Sequence, residues 1–522
     1  MRVVAWMEAV RLRYGASSEQ FYTWAKLPLL LFMGGVGLNA IGIFMSSVFH
    51  VHMTTMLLVL GGLVTVVAVT GGAWAILVSD FVQMLLIVTI TGAAAVFTLC
   101  LPEIGGLAGL LEKVKVPVSP VQWGQTASPY TLVLWALAIL WMQIVTGNNM
   151  ENSVMYLMTK SDRDARRMVL IPMIGSFIGP LIWAIPALAA TVIFPHLATQ
   201  FPNLKKPNEA AFVAICMHVM PRGMLGLLIC AMLGATLTNL DIGLNKGAGV
   251  FIRSFYLPLI DPGCSEKKLL VLGKACTLVF GVIIVGCALL VNQWRTTNLF
   301  DFVNQVAASL TIPLAIPLVF GLFFKRTPSW SAWSTGILGV SVSLFCSFWI
   351  APRLESFFGP ITTREHTNIL LAITTFGTLA IAGGWFFLTS LFYDSSPVEY
   401  REQVEDFFNR LRMPVDKRGI DDLQESVQYL LGSLCMILGA FVFLMGLVPN
   451  DFSHRMAFVI CGGLIFLVGL VLYFVSRRLE REIKAHPDLV QHESDRTLPH
   501  PPHLESSSAG GASDGRGSPT SN

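Results

Sequence analysis

Ala231-Met-Leu-Gly-Ala-Thr-Leu-Thr-Asn-Leu-Asp-Ile-Gly-Leu-Asn245 lies inside an apolar run that extends from about Met224 to Tyr256. A run long enough to cross a bilayer carries hydroxyls, amides and a carboxylate in succession only where they face protein or water, because unsatisfied polarity in hydrocarbon costs several kcal/mol. At helical spacing Ala235, Thr238 and Asn239 stand at i, i+3 and i+4, so a hydroxyl, an amide carbonyl and a nearby main-chain carbonyl share one face. Neutral oxygens are what a hard alkali cation prefers, whereas softer metals take thiolate or imidazole. The alternative is that Thr238 and Asn239 bond only to the carbonyl at i−4 or to a neighbouring helix.

Outward from this stretch, the 522 residues are 54% hydrophobic and 13% charged, with mean hydropathy +0.65, the composition of a polytopic membrane protein. Twelve apolar stretches have the length to span, roughly Leu27–Phe49, Met53–Gly72, Leu77–Leu101, Tyr130–Thr146, Met168–Phe194, Met224–Tyr256, Leu269–Val291, Leu299–Phe324, Trp330–Ile350, Ile369–Phe392, Val427–Leu447 and Met456–Ser476. When the loops are assigned alternately to two sides, one side collects most of the Lys and Arg, including Arg11, Arg13, Lys160, Arg163, Arg166, Arg167, Lys325, Arg326 and Arg477. The other side has few, such as Lys113, Lys205, Arg295 and Arg364. Both termini are therefore predicted to be cytoplasmic. The nine cysteines are scattered singly, which excludes a thiolate metal framework and reads as buried small apolar side chains. No feature points to nucleic acid, and no nucleophile–base pair points to an enzyme.

Along the chain, Met1–Gly15 reads as an amphipathic cytoplasmic helix ending at glycine. Gly71–Gln83 places a Gly-Gly break before a helix with Ser79, Asp80 and Gln83 on its first turns; Asp80 suits either a cap or the receipt of a departing cation. Thr146-Gly-Asn-Asn-Met-Glu-Asn152 gathers breakers and amides, either as a broken helix lining a cavity or as a plain helix end. Glu209–Met220 reads as a short amphipathic helix outside the membrane. Asp301, Asn304 and Gln305 crown a span with Pro313 and Pro317 inside it, a pattern that kinks a helix. Pro397–Gln424, with Phe407, Phe408 and Leu411 on one face, suits a helix lying on the inner membrane surface, and the chain beyond about His486 reads as a disordered tail.

Four of these segments resemble signatures of the sodium:solute symporter family, which includes sodium/glucose and sodium/proline cotransporters. Glu8–Gly15 is similar to the family's Glu-Tyr-Leu…Arg-Phe-Gly connector, and Gly71–Gln83 to its Gly-Gly…Thr-Asp-Val-Ile-Gln signature. Ala235–Asn245 resembles Ser-Thr-Leu-Asp-Ser-x-Leu-Asn of core helix eight, and Gly321–Arg326 resembles Gly-Leu-Phe-Trp-Lys-Arg at the end of core helix ten. The similarity runs from residue 1 to about 345.

The resemblance implies an all-α polytopic bundle with the LeuT-like architecture of two inverted five-helix repeats. The first three spans would be core helices three to five, the next five the second repeat, and the last four peripheral. Core helices one and two would be missing, so the chain reads as N-terminally truncated. The organisation implied is a connector at 1–26, a transporter core at 27–324, peripheral helices at 325–485 with the amphipathic segment 397–424, and a tail at 486–522. Ala235, Thr238 and Asn239 fall on sodium ligands and Asp80 on the ion's exit route, while Asn149 and Gln305 fall on solute-facing positions. Asn239 departs from the usual Ser or Thr, and Asn149-Met150…Val154-Met155 departs from the sugar-binding pattern, which does not support a sugar. The function implied is sodium-coupled symport of a small organic solute across the plasma membrane by alternating access. The alternative is a solute sensor or a degenerate symporter remnant.

Overall fold

A computed structural model describes residues 6–70, 73–114, 129–152, 162–194, 196–412 and 421–485. The tail from 486 and the basic loop around Lys160 lie outside the described residues. In chain order the principal helices are α1 (Trp6–Tyr14), α2 (Ala16–Phe49), α3 (Met53–Thr70), α4 (Ala73–Leu99), α5 (Gly106–Lys113), α6 (Pro129–Gly147), α7 (Asp162–Ile193) and α8 (Ala211–Val219). They continue with α9 (Met224–Phe251), α10 (Glu266–Trp294), α11 (Leu299–Phe320), α12 (Ser331–Phe345), α13 (Thr363–Leu388), α14 (Val398–Arg412), α15 (Asp421–Leu444) and α16 (Phe452–Ala485). Twelve of the described helices are long and apolar enough to cross a membrane, and no strand occurs among the described residues.

The core sits where α2, α4, α9 and α10 meet, with Leu38, Leu57, Ile90, Leu228 and Leu244 fully or almost fully buried in one apolar cluster. Phe177, Val282 and Phe474 are exposed on outward faces instead, as expected of helices whose solvent is hydrocarbon. Successive spans alternate in direction, so the bundle has two ends: the α1 end, and a far end carrying Asp301 and Arg364.

The α1 end is held by one buried cation. Arg13 is 0% exposed, and its guanidinium donates to the carbonyls of Gly321 (3.1 Å), Phe324 (2.8 Å) and Lys325 (3.2 Å), to Thr327 Oγ1 (2.7 Å) and to Tyr400 Oη (3.1 Å). The chain leaving α11 thus presents carbonyls beyond the helix's own ladder and the negative end of the helix dipole, and an arginine with donors in a fixed fork meets both. Tyr14 Oη adds a bond to Pro317 O at 2.7 Å. The Arg-Tyr-Gly and Gly321–Arg326 stretches, read separately in the sequence, therefore grip one another.

The interior of α11 is irregular at its first proline. Pro313 has no N–H for the carbonyl of Ser309, and that carbonyl accepts the Ser343 hydroxyl of α12 at 2.5 Å, beside a π turn over Ala307–Thr311. The short helix α8 buries Ile215 and Cys216 in the main core and exposes Met217 and His218. One expectation needs correction. The apolar face of α14 covers protein, since Phe407, 2% exposed, packs with Trp6, Met7 and Val10 of α1. Finally, α15 and α16 form a hairpin in which glycine faces backbone: a Cβ on Gly432 would lie 2.8 Å from Tyr473 N, and one on Gly469 would lie 2.6 Å from Met436 N.

Candidate functional site

The site begins with the crossing of α4 and α9. Thr238 on α9 donates its hydroxyl to Gln83 Oε1 on α4 at 3.0 Å. The approach is possible because Gly234, one turn earlier on α9, leaves space: a Cβ there would lie 2.7 Å from both Cδ and Nε2 of the Gln83 carboxamide. Thr236, on another face, bonds back to Met232 O at 2.9 Å in the ordinary manner of a helical threonine. Thr238 is thus the hydroxyl of this stretch that reaches across to a second helix. Its oxygen keeps lone pairs after donating, and Gln83 Oε1 lies beside it.

One turn before Gln83 on the same face of α4 stands Asp80, whose Oδ1 is buried and has no hydrogen-bond partner among the described residues. A hydroxyl, a carboxamide oxygen and a carboxylate oxygen thus occupy adjoining turns of two packed helices. A buried carboxylate oxygen without a donor is costly unless a cation or water meets it, and three hard oxygens suit an alkali ion. Among the described residues no group of three His, Cys, Asp or Glu is placed to hold a metal, so the donor set is not that of a transition metal. Ala235 lies half-buried between Gly234 and Thr238, offering only main-chain groups. The Asn239 side chain lies outside the described residues.

The two solute positions fare differently. Asn149 is 4% exposed at the end of α6; its Nδ2 donates to Val145 O (3.4 Å) and Thr146 O (3.2 Å), and its Oδ1 accepts from Asn152 N at 3.1 Å. Because α6 runs unbroken over 19 residues, the break falls at its end, and the Asn149 amide is occupied in closing that end. Beside it, Glu151 joins Lys26 of α2 at 3.1 Å and Lys246 of α9 at 3.7 Å. Burial raises the Glu151 pKa, but the two ammonium groups outweigh it and hold the carboxyl below the usual range. Gln305 on α11 has a buried Nε2 with no partner among the described residues. A separate cavity of about 470 Å³ between α2, α11 and α12, lined by Phe21, Phe32, Leu310 and Val340, has Ser341 as its one polar side chain and lacks the chemistry of a polar solute site.

The sequence places Gln83 on the first turns of α4 and by itself assigns it no role. The signal that could have found it is the pairing of a glycine and a threonine four apart on α9 with a long amide on α4.

Comparison with known proteins places the chain in a family. The family model described as the sodium:solute symporter family matches residues 3–339. Sodium/myo-inositol cotransporter 2 of Sus scrofa is 22% identical over 376 residues, covering 66% of this chain and 55% of that protein. The Homo sapiens protein of the same name is 21% identical over 368 residues, covering 64% and 53%. The chain thus spans about half the length of the curated relatives it matches. A solved Na+-coupled sialic acid symporter, in a substrate-bound outward-open state, superposes with a TM-score of 0.52 at 16% identity, covering 73% of this chain and 77% of that one. That likeness establishes the LeuT-like helical fold, and the family's members are transporters rather than enzymes. With its signature stretches in contact and the family model covering more than half its length, the chain belongs to the sodium:solute symporter family.

Proposed function

We propose that this protein carries out sodium-coupled symport of a small organic solute across the plasma membrane by alternating access. The observation that carries the reading is the oxygen cluster of Thr238, Gln83 and Asp80 across the α4–α9 crossing. Thr238, with Gln83, Asn239 and a main-chain carbonyl near Ala235, would bind the ion, and Asp80, one turn toward the α1 end, would receive it on release. The excess of Lys and Arg at the α1 end supports a cytoplasmic position for that end. Sodium would then enter from the far end, driven by its gradient and by a potential worth about 2.3 kcal/mol per charge per 100 mV. Gln305 and Asn149 are the proposed solute contacts, with Gln305, whose Nε2 has no partner among the described residues, the stronger of the two.

The test is radiotracer uptake by the full chain in proteoliposomes, with sodium replaced by choline, over a panel of myo-inositol, sugars, sialic acid, amino acids and carboxylates. At least one solute should accumulate only with sodium, and Thr238→Ala should abolish that accumulation. Uptake that ignores sodium, or binding of a solute with no uptake, overturns the proposal; the latter outcome favours a sensor.

A further inference from the structure

Helix α12 is drawn toward one side of the bundle. A Cβ on Gly339 would lie 2.8 Å from Cβ of Pro313 in α11 and 3.2 Å from that of Ala382 in α13, so the α12 backbone presses against those two helices. Toward α2 the close approach is at Gly336, where a Cβ would lie 3.0 Å from the Phe21 ring. Outward from that pinch the apolar cavity of about 470 Å³ opens between α2 and α12, with Leu310 and Leu314 of α11 as its floor. Phe32 bounds its outer end, with its ring centroid 6.3 Å from that of Phe302. The mouth faces away from the bundle, since Pro28 and Ser341 are exposed and Ile337 is 48% exposed.

Polarity, length and depth decide what fills this slot. Ser341 donates its hydroxyl to Ile337 O at 2.8 Å, so the lining asks for no further hydrogen bond. An apolar cavity of about 150 Å³ already stays dry and takes up a hydrocarbon guest. From Phe21 to Phe32 helix α2 rises about 16 Å, the depth of one leaflet in a hydrocarbon core of about 30 Å. A slot closed at both ends over that length does not admit a helix of a partner or of a second copy, which needs the whole core. Trp330, Trp385 and Phe392 cluster at the α1 end of α12 and α13, with Trp330 6.3 Å and 5.9 Å from the other two rings, as in an interfacial aromatic belt. Gly336 lies six residues, about 9 Å, deeper than Trp330, which sets the slot in the leaflet on the α1 side.

The charge beside its inner end is one-sided. Ser18 of α2 donates to Ser329 O at 2.9 Å, holding the α11–α12 connection against the start of α2. In that connection Lys325 pairs with Glu405 at 3.1 Å, whereas Arg326 is exposed and meets no carboxylate among the described residues. A guanidinium in that position suits a phosphate.

We infer that the slot between α2 and α12 holds one acyl chain of an anionic phospholipid from the leaflet on the α1 side, with the phosphate at Arg326. The chain wedges beside Pro28 of α2 and the π turn of α11 that carries Leu310. The site is separate from the Thr238 cluster and from Gln305, and it fills without any transport step.

The test is photolabelling. The full chain is reconstituted in phosphatidylcholine vesicles with a trace of phosphatidylglycerol whose acyl chain carries a diazirine, and labelled peptides are mapped by mass spectrometry after illumination. Label should concentrate on Ala25–Phe32 and Gly336–Ser341, above the outward-facing Phe177 and Phe474 that any boundary lipid reaches. Ser341→Phe, at an exposed position that spares the fold, should cut slot labelling at least about fivefold and leave the Phe177 and Phe474 peptides unchanged; Ala25→Leu should do the same from the opposite wall. The phosphatidylglycerol probe should label the slot about fivefold more than its phosphatidylcholine counterpart, the factor that one basic side chain beside an anionic headgroup supplies. Arg326→Gln should remove that preference and keep the label. Label spread evenly over the outward faces overturns the slot, and a bare slot in a protein that sediments as a dimer assigns it to a second copy and overturns the lipid. Equal labelling by the two probes overturns the anionic headgroup, and a preference that survives Arg326→Gln overturns the place given to the phosphate. Because no step requires uptake, this proposal and sodium-coupled symport fail independently.

Discussion

Thr238→Val separates the two roles open to this hydroxyl. Valine keeps the shape of threonine and removes the oxygen, so the fold loses the single bond to Gln83, a neutral side-chain pair at 3.0 Å in a half-buried position. A bond of that kind contributes about 1 kcal/mol to stability. If the same oxygen also meets a cation, the interaction belongs with hydrogen bonds to charged groups, about 1.5–3 kcal/mol. The sodium concentration for half-maximal uptake should then rise about tenfold to a hundredfold, since each 1.4 kcal/mol is a factor of about ten. The assay is initial uptake rate against sodium concentration in proteoliposomes, with the thermal midpoint measured on the same preparation. Gln83→Leu should move both quantities in the same directions. A midpoint lowered by the expected small amount, with sodium dependence unchanged, would show that Thr238 only clamps α9 to α4 and would refute the ion-site reasoning.

Arg13→Ala should lower stability by about 3–5 kcal/mol, because it empties the space of a fully buried side chain and removes the donor to the buried carbonyl of Gly321 and to Thr327 Oγ1; Arg13→Lys should recover only part of this, read by denaturation in detergent. Gly321→Ala should be strongly destabilising because its new Cβ would overlap the Tyr14 hydroxyl, and Tyr14→Phe should partly rescue it in a double-mutant cycle. The Glu151 carboxyl lies below its ordinary range in the fold, so its contribution is complete above the unfolded value of about 4.3 and is lost as pH falls through the lower folded value. The thermal midpoint of the wild type should therefore drop more steeply below about pH 5 than that of Glu151→Gln. Gly432→Leu should separate α15 from α16, lowering the yield of folded protein on gel filtration.

Much of the architecture could be read in advance because hydrocarbon imposes a single simple demand, about twenty apolar residues per crossing, and the sequence meets it twelve times. Thr238 was legible for the complementary reason, as polarity where none is cheap. What escaped was whatever depended on a second helix. Gln83 becomes meaningful only once Gly234 lets α4 approach, and Arg13 only once the end of α11 is beside it. The apolar side of α14 reads as a membrane face until α1 is found covering it. The span expected to begin at Ile369 in fact begins at Thr363. Asn149 shows the reverse case, a conspicuous amide whose hydrogen bonds close a helix end.

The guanidinium of Arg13 also bears on how such a bundle can rock. It fastens the elbow between α1 and α2, the last turn of α11 and the surface helix α14 to one rigid hub, since Tyr400 of α14 bonds both Arg13 and Thr327. Spokes tied to one hub turn together and cannot slide past each other. If the bundle works by the alternating access proposed above, the freedom to reorient lies outside this hub, and the contact of Glu151 with Lys26 and Lys246, made by three flexible side chains, is one that could break without disturbing the main chain.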